Sequence, residues 1–185
     1  RSSDLKQGKL STIRLSTRPD YIDEEILSYL KKFHVGTIEL GVQSLDNEVL
    51  KASFRGHSAE DVYLSAQLIK EYGFELGIQT MTGLPKDTHE RDIETARKVI
   101  ELNPSIVRIY PALVIKGTYM EKLLLRGEYR PQSLDEAVNI CYQLLKIYNN
   151  AGINVIRIGL QTNENISEGS EVVAGPFHPA FRQLV

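Results

Sequence analysis

One cysteine, Cys141, stands in a chain of 185 residues. That scarcity excludes an intrachain disulfide framework and any multi-cysteine metal or iron–sulfur site built from these residues alone, so no metal ligands are assigned. Long apolar runs are also missing. Nothing approaches the roughly 20 residues needed to span a bilayer, and Arg1-Ser2-Ser3-Asp4 is not a signal peptide, so the expectation is a cytoplasmic protein with no membrane partner. Charge imbalance is small: a formal net charge of −2 and a pI near 6.1 give no global attraction to nucleic acid, leaving only a local basic patch open. An initiator methionine is absent, and the apolar alternation of Leu10, Ile13 and Leu15 begins almost at once. The chain therefore reads as a segment whose first strand had upstream neighbours for its backbone groups.

What is present is a repeat of strand, polar tip and helix. Leu10 to Ser16 alternates as a strand, and Asp23-Glu24-Glu25 offers a cap and an acidic first turn to a helix carrying Ile26, Leu27 and Leu30. Thr37 to Gln43 is a second strand. A turn or short helix over Asp46 to Ala52 precedes Ser58-Ala59-Glu60-Asp61, which opens a helix with Val62, Ala66 and Ile69 on one face and Gly73 at its end. Phe74 to Thr82 is the third strand, followed by a helix from Asp87-Thr88-His89-Glu90 to Leu102 that stops before Pro104. Ser105 to Pro111 is the fourth. Val114 to Gln132 is longer, with a short helix at Tyr119 to Leu125, and reads as a lid. Ser133-Leu134-Asp135-Glu136 caps a helix to Asn150, Ile153 to Ile158 is the last strand, and the tail from Gln161 loses periodicity. The expected fold is α/β, an incomplete (β/α) barrel, or partial TIM barrel, of parallel strands over 1–160 with an irregular extension over 161–185.

Four strand ends leave apolar runs and present polar or glycine residues: Ser16-Thr17-Arg18, Gly41-Val42-Gln43-Ser44, Gly77 to Pro85, and Ile109 to Leu113. In such barrels the catalytic groups come from the carboxyl ends of successive strands. Thr37 to Asp46 followed by Arg55-Gly56-His57-Ser58 resembles the radical S-adenosylmethionine (radical SAM) enzymes of the subgroup containing oxygen-independent coproporphyrinogen oxidase and the Elongator catalytic subunit. Leu15 to Asp20 and Ile109 to Thr118 are closer to the Elongator branch and its bacterial relatives. Gly175-Pro176-Phe177-His178-Pro179 is similar to a tail in bacterial proteins of that type. The resemblance implies S-adenosylmethionine and a four-iron four-sulfur (4Fe-4S) cluster as cofactors, a 5′-deoxyadenosyl radical as the product of their reaction, and a tRNA or a small molecule as substrate. The family's CxxxCxxC loop is not in this chain, so the cluster belongs to the intact parent and this segment alone is expected to be inactive.

Carried over position by position, the resemblance implies cofactor-binding roles for Ser16, Thr17, Gln43, Arg55, Gln79, Gly83 and Tyr110; catalytic residues stay unassigned. An Arg fork suits the cofactor's carboxylate and a Gln amide its hydroxyls. Each has a plainer reading. Gln43 and Gln79 satisfy strand-end amides, Arg55 caps a helix or pairs with Asp61, Ser16 and Thr17 make a turn before Pro19, Gly83 is a tight turn, and Tyr110 is barrel packing. Cys141 falls on a core stripe with Leu134, Val138, Leu144, Leu145 and Tyr148, and nothing nearby would lower its pKa. His34 and His89 read as surface residues and His57 as structural, while His178 either faces a substrate or anchors the tail. Two other functions compete: a lyase-type barrel enzyme using Glu39 or His57 with phosphate near Gly83, and a noncatalytic protein-binding module. An open barrel edge invites self-association.

Overall fold

A computed structural model describes residues 12–160 and 171–185. The beginning of the first strand at Leu10 and the tail from Gln161 through Gly169 lie outside the described residues. Five parallel strands, β1 (Ile13–Thr17), β2 (Val35–Gln43), β3 (Glu75–Thr82), β4 (Ile106–Pro111) and β6 (Asn154–Ile158), make one open sheet in the order β1-β2-β3-β4-β6. No closed barrel forms among the described residues. Parallel neighbours need long crossovers, and α1 (Glu24–Lys31), α2 (Asn47–Ala52) with α3 (Ala59–Glu71), α4 (His89–Glu101) and α6 (Leu134–Asn150) supply them.

The helices start where side chains replace missing intrahelical acceptors. Asp23 accepts from Ile26 N, and Ser58 with Asp61 and Ser133 with Glu136 form reciprocal capping boxes. Strand alternation then sorts the sheet into two faces. Ile38, Leu40 and Val42 of β2, Leu76 and Ile78 of β3, and Val107 and Ile109 of β4 are buried against the helices. Each such side chain contributes about 1.5–3 kcal/mol by leaving water. From α6 come Ala137, Ile140, Cys141, Leu144 and Tyr148, the helical stripe expected of a core face. No helix among the described residues is long and apolar enough to cross a membrane.

Between β4 and α6 lies an excursion the periodicity shows only in part. β5 (Val114–Ile115) leads to α5 (Tyr119–Leu125), and Val114, Leu123 and Tyr129 bury against one another. β5 pairs antiparallel with β7 (Val172–Ala174), so the end of the chain returns to the carboxyl ends of the strands. Two glycines permit that return. A Cβ on Gly175 (φ +112) would stand 3.0 Å from Ala112 O, and one on Gly159 (φ +79) 2.9 Å from Phe181 Cβ. Phe181, in α7 (Phe181–Leu184), joins the main core, and Arg182 Nη2 donates to Val155 O at 3.3 Å on the β6 edge.

Candidate functional site

The sheet face opposite the helices is polar where the strands are otherwise apolar. Glu39, 1 % exposed, projects there from the middle of β2. Its Oε1 accepts from Arg108 Nη2 at 3.0 Å and lies 3.4 Å from Arg14 Nη1, while Oε2 accepts from Gln79 Nε2 at 3.0 Å. Arg108 Nε completes the ion pair at 2.9 Å with its N–H turned off the oxygen. Gly77 makes room, since a Cβ there would meet Glu39 Cγ at 2.6 Å. Gln79 also donates to Ser16 Oγ at 3.0 Å, and Arg108 Nη1 donates to Tyr110 OH at 3.3 Å. Desolvation works against the Arg108 cation, but the Tyr110 bond and the Glu39 charge outweigh it and hold its pKa above the ordinary value.

This network gathers Ser16, Gln79 and Tyr110. Thr17 falls on the opposite face of β1 by strand alternation, and Gln79 stands mid-strand with its amide engaged rather than free at a strand tip.

Gln43 and Arg55 sit higher, at the carboxyl end of β2. The register of β2 against β3 shifts between Gly41 and Gln43, and Gln43 takes φ 66, a left-handed conformation that a residue with a Cβ adopts only where its surroundings impose it. The bulge turns Gln43 back over Gly41, placing its Nε2 3.0 Å from where a Gly41 Cβ would be. Among the described residues the Gln43 amide makes no hydrogen bond within the protein.

Arg55 follows α2 through a Schellman turn, Arg55 N donating to Leu50 O at 3.1 Å and Phe54 N to Lys51 O at 3.2 Å. Its Nε is buried without an acceptor, and no ion pair to Asp61 forms because Asp61 is committed to the Ser58 capping box. Burial first, and then the charge of Arg18, lower the Arg55 pKa. Arg18 is itself forked onto Asp20 at 2.9 and 2.7 Å. A half-buried guanidinium facing another cation, with its buried Nε–H unused, is suited to pairing with an anion. His57 supports β2 from behind: Nε2 lies 3.1 Å from Val42 O, and burial lowers its pKa, so the neutral ring donates there.

Gly83 (φ +70) is a tight turn whose close approach is to the chain itself, because a Cβ would meet Gln132 Cδ at 2.6 Å. Thr82 Oγ1 donates to Gln132 Oε1 at 3.2 Å, and the buried Tyr129 hydroxyl donates to Gly83 O at 2.6 Å. Tyr129→Phe is expected to cost about 1–2 kcal/mol in urea unfolding, as the net worth of a buried bond whose acceptor is left unpaired. Unchanged stability would mean the turn is held by its backbone alone.

Beside this turn Asp87 and Asp92 face a polar cavity of about 380 Å³ that also reaches His89, Arg130 and Asn139. Asp92 is 4 % exposed. Burial, then the Asp87 charge and a bond donated to Asp87, push the Asp92 carboxyl up to about 10; burial raises Asp87 as well. Both Oδ2 atoms are buried without a hydrogen-bond partner, so a proton held on Asp92 would relieve the repulsion between the two carboxylates. Cys141, fully buried, is pushed up to about 12 by burial and then by the Asp92 charge. It holds its proton and is unfit as a cluster ligand. Among the described residues no group of three or more His, Cys, Asp or Glu side chains is placed to hold a metal ion.

An open parallel β/α sheet that carries Gln43 and Arg55 beside the carboxyl end of β2 is a core of the partial TIM-barrel class. Comparison with known proteins names the family. The family model described as Radical SAM superfamily matches residues 3–99, and the Radical_SAM C-terminal domain matches 104–185. The chain belongs to the radical SAM superfamily. It is 37% identical over 129 residues to the tRNA uridine(34) acetyltransferase of Methanocaldococcus infernus, covering 68% of this chain and 24% of that protein. It is 33% identical over 148 residues to human Elongator complex protein 3, covering 78% and 27%. The chain thus spans about a quarter of these relatives' length. The archaeal Methanocaldococcus infernus Elp3 structure superimposes with a TM-score of 0.77 at 31% identity, over 89% of this chain and 38% of that one. Coproporphyrinogen III oxidase (HemN) from Escherichia coli, TM-score 0.63 at 21% identity over 76% and 32%, shares the fold.

Arg108, Asp87, Asp92, Tyr129 and Gln132 escaped the reading of the sequence. The signal for Arg108 was available: an arginine at an alternating position inside an apolar strand needs a buried acid, and Glu39 lies on the same face two strands away, two residues lower in register.

Proposed function

We propose that this chain is the S-adenosylmethionine-binding part of a radical SAM enzyme that acts on tRNA. The single observation that carries the reading is the buried Arg55 Nε left without an acceptor at the β2 end, beside the left-handed Gln43, whose amide has no hydrogen bond among the described residues. Arg55 would hold the carboxylate of S-adenosylmethionine and Gln43 its amino or hydroxyl groups. Gly41 supplies space, and the Glu39–Arg108–Gln79 network keeps the floor of the pocket rigid. When bound next to a 4Fe-4S cluster, S-adenosylmethionine supplies the radical chemistry of the family, and this chain's share is to bind, orient and exclude water. Cys141 does not serve that cluster, whose ligands lie outside this chain. The tRNA substrate rests on what the relatives are named for.

The lyase reading loses Glu39, which is saturated by Arg108 and Gln79, and keeps in His57 a ring held on Val42 O through Nε2 with its Nδ1 buried away from solvent. Calorimetry on a longer protein carrying the three-cysteine loop, reconstituted anaerobically with iron and sulfide, tests the proposal. S-adenosylmethionine should bind, and Arg55→Ala or Gln43→Ala should weaken it about tenfold or more, the loss of one charge-assisted bond. A folded, cluster-loaded protein that takes up none would leave the protein-binding module as the better account.

A further inference from the structure

Next to the Arg55 pocket the rim carries two more non-glycine residues in the left-handed region, Phe54 (φ 53) and Lys86 (φ 63). Phe54 occupies the position after α2 where a Schellman turn ordinarily takes glycine. Its ring is 70% exposed and meets Tyr119 of α5 edge-on, centroids 4.4 Å apart at 68°. A large aromatic in a strained conformation, presented to solvent, is the reverse of what packing requires.

The two rings wall a cleft of about 600 Å³ between α2 and α5, floored in part by Pro85 and Leu123, with Lys51 and Lys86 on its edge. That volume lies in the range of small-ligand sites, roughly 300–1,000 Å³. Of the acids beside it, Glu48 is tied to Arg91 at 2.7 Å, which leaves Glu128 against two lysines with no ion pair among the described residues. The cleft therefore offers π-faces, an apolar floor and a small positive excess.

We propose that this cleft holds an unpaired nucleotide of the RNA substrate, its base stacked on the Phe54–Tyr119 pair and its phosphates on Lys51 and Lys86. The assignment rests on the tRNA-acting reading above and adds where a strand crosses the rim on its way to the Arg55 pocket. Stacking on exposed aromatics with lysines along the backbone path is the recurring solution for single-stranded nucleic acid, and it is tolerant of sequence. An apolar peptide would leave two ammonium groups with Glu128 as their one unpaired acid in the cleft, so RNA is the occupant the chemistry favours.

The test uses the 185-residue chain and a single-stranded heptaribonucleotide containing 5-iodouridine, read by fluorescence anisotropy and by photocrosslinking. Phe54→Gly relieves the left-handed position, so the fold survives while the stack is lost. Affinity should fall about 5- to 150-fold, Phe54→Tyr should keep it, and the crosslink should map to Phe54 or Tyr119. Lys51→Gln and Lys86→Gln should each reduce the slope of log affinity against log salt by about 0.7. Binding that is unchanged in Phe54→Gly, or a crosslink elsewhere, overturns the cleft and leaves the enzyme reading intact. No RNA binding by the parent chain overturns the cleft together with its tRNA premise, while S-adenosylmethionine calorimetry decides the cofactor reading independently.

Discussion

Glu39→Ala is expected to remove about 3–5 kcal/mol of stability, the usual cost of deleting one partner of a buried ion pair and leaving the other charge stranded. Arg108 would keep its position on β4 with Tyr110 as its remaining hydrogen-bond partner, and Gln79 would lose its carboxylate. Set against a total of about 5–15 kcal/mol for a typical domain, that loss is a large fraction of the stability of the fold. Denaturant unfolding measures it directly. Glu39→Leu combined with Arg108→Leu should recover most of the loss, because two matched apolar groups do not carry the stranded charge. A loss below about 1 kcal/mol in Glu39→Ala would show that the pair is solvated in solution and does not organise the inner face.

Stability should also fall as the solution becomes more alkaline, and the slope should belong to Asp92. Its carboxyl titrates at about 10 in the folded chain against an ordinary 3.8. Between those values the folded state keeps a proton that the unfolded state has released, so the contribution is full below about pH 4 and is lost steadily as pH rises towards 10. The decline approaches about 1.4 kcal/mol per pH unit for one proton. Asp92→Asn holds a neutral amide at all pH. It should be more stable than the parent at about pH 8, with the difference shrinking towards about pH 5. Parallel pH profiles for the two proteins would mean that Asp92 is ionised in the fold and paired in some other way.

Both effects involve residues whose importance was hidden in one dimension, and the reasons differ. Strands and helices were legible because their signals are local: alternation in Thr37 to Gln43 and Phe74 to Thr82, and capping at Ser58 and Ser133, reappear within a residue or two as β2, β3 and the capping boxes. The β5–β7 ribbon was not, since two residues of β5 find their partners more than fifty positions away. At the site, Gln43 stood out at a strand end and Arg55 in the turn that follows, both through the family resemblance. Asp92 in the first turn of α4 looks like an acid placed for the helix dipole, and only the packing of α6 against α4 turns it into a buried, proton-holding group. Phe54 reads as one more apolar residue until its left-handed backbone and exposure are seen together.

The division of the sheet into an apolar helix side and a charged inner side also bears on how the chain reaches its fold. A slip of one residue in the pairing of β2 or of β4 would exchange that strand's faces, thrusting Glu39 or Arg108 among the helices and Ile38 or Val107 onto the polar face. Such a mispaired intermediate strands one of the two charges in an apolar layer. The network therefore raises the free energy of slipped registers relative to the native pairing.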